Sequence, residues 1–239
     1  MRFFKFIFIL AIIIFPLSII SGQNSVIKKV MTKMVIRQVH NGVSGMMKAD
    51  LFYDNVASKM ITHFTYPLEY LVITNNKGEL NIYNPIQNTI IQKQNFAYSI
   101  ESSQLFYFLS HQTSDLGLKK MNYSINKTSF EKDMVITEWK SNQPAKKGDI
   151  EKIKLVHRNQ NPIYMSYIDT KGQIKRKVYY SGYQNIGNVN FPTSTTEIIY
   201  NTSKDTTINK TLYSEIKWDE SAVSTYFSYQ IPSNAKLEK

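Results

Sequence analysis

The chain has 239 residues, 29 Lys and Arg against 18 Asp and Glu, and no cysteine. The last fact excludes disulfides, thiolate catalysis, zinc–cysteine sites and lipidation of an N-terminal cysteine. The net charge of +11 comes from dispersed lysines, and short runs such as Lys146-Lys147 and Lys175-Arg176-Lys177 read as solvated strand faces or loops. No nucleic-acid partner is therefore expected.

The N-terminus carries Arg2 and Lys5, then runs without charge from Phe6 to Ile20, and leaves through Ser21-Gly22. A charged start, a short apolar core and a small-residue exit describe a secretory signal peptide, expected over residues 1–22. An uncleaved anchor is the competing reading. As a helix, that uncharged run reaches only about 22 Å, short of the roughly 30 Å hydrocarbon core. Its removal takes two basic residues and no acidic one, leaving +9. Residues 23–239 are expected to form one exported domain, large enough to bury a core without staples.

Residues 25–34 suit a helix at first, but Val35-Ile36-Arg37-Gln38-Val39 draws their end towards strand, and both readings stay open. His40-Asn41-Gly42 predicts a hairpin turn, because Asn-Gly tolerates the positive φ of a type I′ turn. Period-two alternation then dominates. Met47, Ala49, Leu51 and Tyr53 share one face, as do Met60, Thr62 and Phe64. Further on, Ile153 with Leu155, then Ile163, Met165 and Tyr167, repeat the pattern. Ile174, Val178 and Tyr180 share a face with Arg176, whose charge requires an end position or a partner. Leu212, Ser214, Ile216 and Trp218 close the series. Turns are expected at 75–78, 84–85, 147–149, 170–172 and 201–205. About ten short strands with one apolar and one polar face predict a large curved antiparallel sheet or an incomplete barrel.

One segment interrupts the alternation. Ser102-Ser103-Gln104 can cap a helix over 103–112, with a second short helical stretch at 114–120. Leu105, Phe106, Phe108 and Leu109 cover about a 160° arc of the first helix, with Tyr107 pointing away. A helical lid over an apolar cavity is one outcome; a lid packed permanently on a filled core is the other.

The stretch 49–95 contains Phe64, Pro67, Glu69, Leu71 to Thr74, Gly78 and Ile82-Tyr83-Asn84-Pro85. Residues 102–120 follow it as a helical segment, and Phe191-Pro192 precedes an alternating strand. This order resembles the outer-membrane lipoprotein carrier family (LolA-like proteins) over about forty-five residues. The resemblance implies an incomplete β-barrel under a helical lid, in a monomeric periplasmic protein without a cofactor. That protein would take acyl chains of lipoproteins, or lipid, from an inner-membrane exporter to an outer-membrane acceptor. The family's lid-latching arginine falls near Asn55 here, and Asp54-Asn55-Val56 contains none, so that latch is not expected.

Alternation and the helix arc assign a candidate ligand site. Met47, Leu51, Met60, Phe64, Val72, Leu80 and Ile82 would line it, roofed by Leu105, Phe106, Phe108 and Leu109. Two other classes compete: an interaction protein of the same fold with a filled core, and a hydrolase or sugar-binding β protein. Nothing in the sequence favours catalysis. His40, His63, His111 and His157 lie in no metal-ligand spacing, and Gly42-Val43-Ser44-Gly45 lacks the spacing of a nucleophile elbow. The chain is expected not to be an enzyme and to hold no metal.

Overall fold

The structure is a computed structural model that describes residues 26–202 and 205–238. The expected leader, residues 1–22, lies outside the described residues. Six strands come first: β1 (Lys29–His40), β2 (Val43–Asp54), β3 (Lys59–Tyr66), β4 (Tyr70–Asn75), β5 (Glu79–Asn84) and β6 (Thr89–Gln94). A connector over 95–122 holds two 3₁₀ turns and the short helix α1 (Gln104–Leu109). Seven more strands follow: β7 (Tyr123–Glu131), β8 (Met134–Ser141), β9 (Ile150–Arg158), β10 (Asn161–Asp169), β11 (Ile174–Ile186), β12 (Val189–Tyr200) and β13 (Thr206–Trp218). A two-residue strand, β14 (Lys236–Leu237), ends the fold.

All of these strands form one curved, unclosed sheet in the order β14-β6-β5-β4-β3-β2-β1-β13-β12-β11-β10-β9-β8-β7. Each half is an antiparallel meander, and the halves join where β1 pairs antiparallel with β13 along nearly its whole length. The turns behave as their residues require. Asn41 and Gly42 take φ of 49° and 80°, the doubly positive pair of a type I′ turn. The Asp169 carboxylate closes the β10–β11 turn by accepting from the backbone N–H groups of Lys171 and Gln173, each at 2.9 Å.

The topology sends the chain across both faces. After β6 it must reach β7 at the far edge, and the connector does so over what we call the inner face. After β13, in the middle of the sheet, residues 219–235 return to β6 over the outer face. Alternation sorts the core accordingly. On β2, Ala49, Leu51 and Tyr53 join α1 in the larger inner cluster, while Phe52 faces outward. There Phe52 stacks on Tyr226 with ring centroids 4.8 Å apart.

Several expectations need correction. Among the described residues fourteen strands form rather than about ten. Residues 29–40 are strand, because both flanks of β1 offer partners, β2 and β13. The helix is shorter than 103–112. It starts where the Ser103 hydroxyl accepts from the Phe106 N–H at 3.2 Å, and ends at Ser110, before His111 at φ 57°. Residues 114–120 form successive hydrogen-bonded turns rather than a helix. Leu212 and Ile216 do not share a face. A register shift opposite Met31–Lys33, with Glu215 at φ 52°, flips the alternation, so Tyr213, Ile216 and Trp218 pack inward.

Tyr107 does not point away; it is buried. Its ring lies where a Cβ on Gly117 would fall, 2.2 Å from the ring carbon Cζ, and Gly117 has φ 79°. An L side chain there would both strain the backbone and displace the ring. Gly117→Ala should therefore destabilise the protein by about 3 kcal/mol from those two costs. A thermal melt of the variant that overlays the wild type would refute this packing.

Candidate functional site

The candidate residues lie on strands whose register can be followed across the inner face. Leu51 pairs with Thr62, Thr62 with Val72, and Val72 with Ile82. Residues directly opposite in a sheet share a face, so the row from Leu51 to Ile82 is inward. Met60 and Phe64 flank Thr62, and Leu80 precedes Ile82 by two, so they join it. Met47 enters through Ile36, its partner on β1. Met47, Met60, Phe64, Val72, Leu80 and Ile82 are each half-buried, whereas Leu51 is buried. The inner surface of β2–β5 is thus apolar, and α1 packs chiefly on β12 rather than on it.

The roof sits to one side of this surface. Phe108 contacts the rings of Tyr180, Tyr183 and Phe191 on β11 and β12, at centroid distances of 5.3, 6.4 and 6.1 Å. Leu105, Phe108 and Leu109 are buried, and Phe106 is half-buried with the Lys120 ammonium 5.6 Å above its ring. Of the seven floor candidates, Leu51, Met60 and Phe64 pack into the cluster that contains α1; Met47, Val72, Leu80 and Ile82 lie outside it. Beneath the roof the space is filled. Trp139, Leu155, Met165 and Phe108 are at most 2% exposed. The trough therefore has a packed half, β8–β12, and a half-buried apolar half, β2–β5, to one side of α1.

Asn55 takes no part in fastening the lid: its N–H donates to the Lys28 carbonyl, and its side chain accepts from the Tyr53 hydroxyl at 3.0 Å. Two contacts tie the connector to the sheet instead. The Ser99 hydroxyl donates to the Asn76 carbonyl at 3.1 Å, near the β4–β5 turn. At the other end, His157 on β9 lies with Nε2 2.8 Å from the Thr113 carbonyl. A carbonyl only accepts, so Nε2 carries hydrogen. Sequence reasoning missed His157 because its partner is a main-chain atom 44 residues away.

His40 and His63 are engaged separately. His40 lies 2.8 Å from the Thr207 hydroxyl, and His63 lies 3.0 Å from Glu69. Among the described residues, no group of three His, Asp or Glu side chains could hold a metal ion, and no helix is long and apolar enough to cross a membrane. A further hollow of about 490 Å³ lies on the outer face, between the sheet and the C-terminal segment, lined by Lys59, Ile73, Asn81, Tyr229 and Ile231 among others. The Lys59 ammonium donates to the Tyr229 carbonyl there at 2.6 Å.

Comparison with solved structures follows from this geometry. A LolA superfamily protein of Nitrosomonas europaea superposes with a TM-score of 0.56 at 11% identity, over 85% of this chain and 90% of its own. The fold is LolA-like. An outer-membrane lipoprotein-sorting protein domain of Vibrio parahaemolyticus gives 0.54 at 12%, over 83% and 88%. A DUF1329 family protein of Desulfovibrio piger gives 0.54 at 12%, over 84% and 90%. No family model matches the sequence, and no curated protein matches it. The LolA-like architecture is thus carried here by a sequence far from these neighbours.

Two measurements test the site. Burial raises the phenols of the inner tyrosines; those of Tyr53 and Tyr213 are pushed up to about 12, and that of Tyr180 is raised well above its usual value. An unfolded tyrosine ionises near about 10. The unfolded chain then binds fewer protons than the folded one, so this stabilisation is complete below pH about 10 and is lost as pH rises towards 12. Melting temperature should fall across that window, and Tyr213→Phe should make the fall shallower; equal slopes would count against burial as the cause. His157→Ala should accelerate amide hydrogen exchange in residues 104–121, with β1 and β13 keeping their protection. Unchanged exchange in the connector would rule out the tie.

Proposed function

We propose that the chain is a periplasmic carrier that binds acyl chains of lipoproteins, or lipids, on its inner face for transfer towards the outer membrane. One observation carries this reading: the half-buried apolar strip of Met47, Met60, Phe64, Val72, Leu80 and Ile82, continuous with a lid-covered core. An acyl chain suits such a strip. Each methylene removed from water contributes about 0.8 kcal/mol, and no charged partner is needed. The LolA-like fold supports the same role, since one structural neighbour is a lipoprotein-sorting domain. An inner-membrane exporter and an outer-membrane acceptor are the partners that role requires, with residues 1–22 as the export signal and the protein working as a monomer.

The packed half beneath α1 favours a second reading for that part of the molecule. With Trp139 and Leu155 at 2% and 0% exposure, it is structural core and offers a chain no room. Loading would then begin on β2–β5 and stop at the edge of the lid. Phe106 is the roof residue placed to meet the chain there, being half-buried and packed against the inner cluster.

Ile82→Asp is the test, because Ile82 is half-buried on the strip and lies outside the packed cluster. A carboxylate there must protonate or recruit water when an acyl chain covers it. Affinity for a fluorescent fatty acid or a triacylated peptide should fall at least about tenfold, equivalent to about 1.4 kcal/mol, with circular dichroism unchanged. If folded wild type binds neither ligand at micromolar concentration, the carrier reading fails.

A further inference from the structure

The strap over residues 219–235 packs on outward residues of β2 to β6, among them Phe52, Ile61, Ile73 and Ile90. Away from it, around the β1–β13 seam and on towards β9, the outer face carries cations. Alternation places them. Lys154 lies between Ile153 and Leu155, and Lys177 adjoins Val178; those three apolar residues belong to the inner cluster, so both lysines point outward. Arg37 and Lys48 adjoin the inward Ile36 and Ala49. Lys210 shares their face because it pairs with Arg37. Dispersed along the sequence, these five cations are gathered by the strand register onto one surface.

Two adjacent rows cross that surface. One runs Val39–Ile208–Ile198–Lys177–Ser166–Lys154, the other Arg37–Lys210–Thr196–Tyr179–Tyr164. Val39, Ile208 and Tyr179 are exposed, and the Tyr179 and Tyr164 rings lie 5.1 Å apart. Arg37 stands directly opposite Lys210, where like charges repel and cost stability. Elsewhere the sheet relieves the same arrangement: Lys140 lies opposite Lys152 but meets Glu151 at 3.7 Å. Among the described residues, Arg37, Lys48, Lys154, Lys177 and Lys210 form no ion pair. The carboxylate nearest them in register is Glu138, opposite Lys154.

We propose that this outer face docks the protein onto an anionic phospholipid bilayer. Lipid phosphates supply the counter-charge that Arg37 and Lys210 lack, while Val39, Ile208 and Tyr179 meet the head-group layer, where tyrosine rings are favoured. Four of the five cations are lysines. Lysine is depleted in protein–protein interfaces, whereas arginine is enriched there. Its hydrated point charge on a flexible stem suits a plane of moving phosphates better than the fixed carboxylates of an acidic protein. The docking face lies on the opposite side of the sheet from the trough, so the proposal holds whatever the inner strip binds.

The protein is sedimented with vesicles of phosphatidylcholine alone and of phosphatidylcholine mixed equally with phosphatidylglycerol. Each cation brought to an anionic surface contributes about fivefold in partitioning. Wild type should bind the mixed vesicles at least about tenfold better than the zwitterionic ones, and the preference should vanish in about 1 M salt. Arg37→Gln with Lys210→Gln should weaken that binding about twenty-fivefold. Because it removes a repulsive pair, this variant should melt no lower than wild type. Lys154→Gln with Lys177→Gln should weaken binding likewise. Lys77→Gln with Lys119→Gln removes the same charge from a turn and the connector, and should change binding by less than about threefold. Ile82→Asp, on the inner strip, should partition as wild type does, which separates docking from uptake of lipid into the trough. Equal losses in the three double variants overturn the docking face. So does a wild type without preference for the anionic vesicles, and an acidic protein partner is then the reading that replaces it.

Discussion

The pairing of β1 with β13 fixes the rest of the molecule. Each meander grows outward from that central seam, so β6 and β7, consecutive along the chain, stand towards opposite edges of a fourteen-stranded sheet. With neighbouring strands about 4.8 Å apart, the connector must cross most of the sheet, and it can do so only over a face. That crossing supplies α1. The same constraint acts after β13, where the chain returns over the opposite face and lays Tyr226 and Phe227 against Phe52. Lid and outer strap are thus consequences of one strand pairing.

Connector length then decides where the lid lies. Ser99 is held beside the β4–β5 turn and Thr113 beside β9, so α1 falls on the β11–β12 side of the trough. Phe108, Tyr180, Tyr183 and Phe191 fill the space below it. This leaves β2–β5 with a half-buried apolar surface to one side of α1. Large half-buried residues such as Met60 and Phe64 are expensive to leave against water unless something covers them at work. A packed half that holds the fold together and a half-buried apolar half lie side by side within one sheet.

The faces were largely legible in the sequence, because strand alternation is local. It placed Leu51 and Tyr53 inward and required a partner for Arg176, which Glu197 supplies. It failed where one residue breaks the period: Glu215, with its positive φ, turns Ile216 inward and leaves Leu212 out. The helix arc marked Leu105, Phe108 and Leu109 as buried, yet misplaced Tyr107. What holds Tyr107 is a glycine ten positions further on, and helical periodicity carries no information about it. The location of the roof was equally hidden. It depends on the His157 and Ser99 ties, both to main-chain carbonyls, which leave no residue-type signature.

A sheet that keeps an open trough must also keep two free edges, and free edges invite further strands. At one end β14 is only two residues long and pairs parallel with β6, so it offers little backbone to a newcomer. At the other, β7 carries a register shift between Ile125 and Lys127, which places a bulge and a charge in mid-strand. Closing the barrel would remove both edges, but it would also join β7 to the β14–β6 edge and shut the trough from the side. The short strand and the bulge do the protective work that closure does in other β proteins. That leaves the sheet unclosed on the β14–β6 side, beyond the Leu80 and Ile82 of β5.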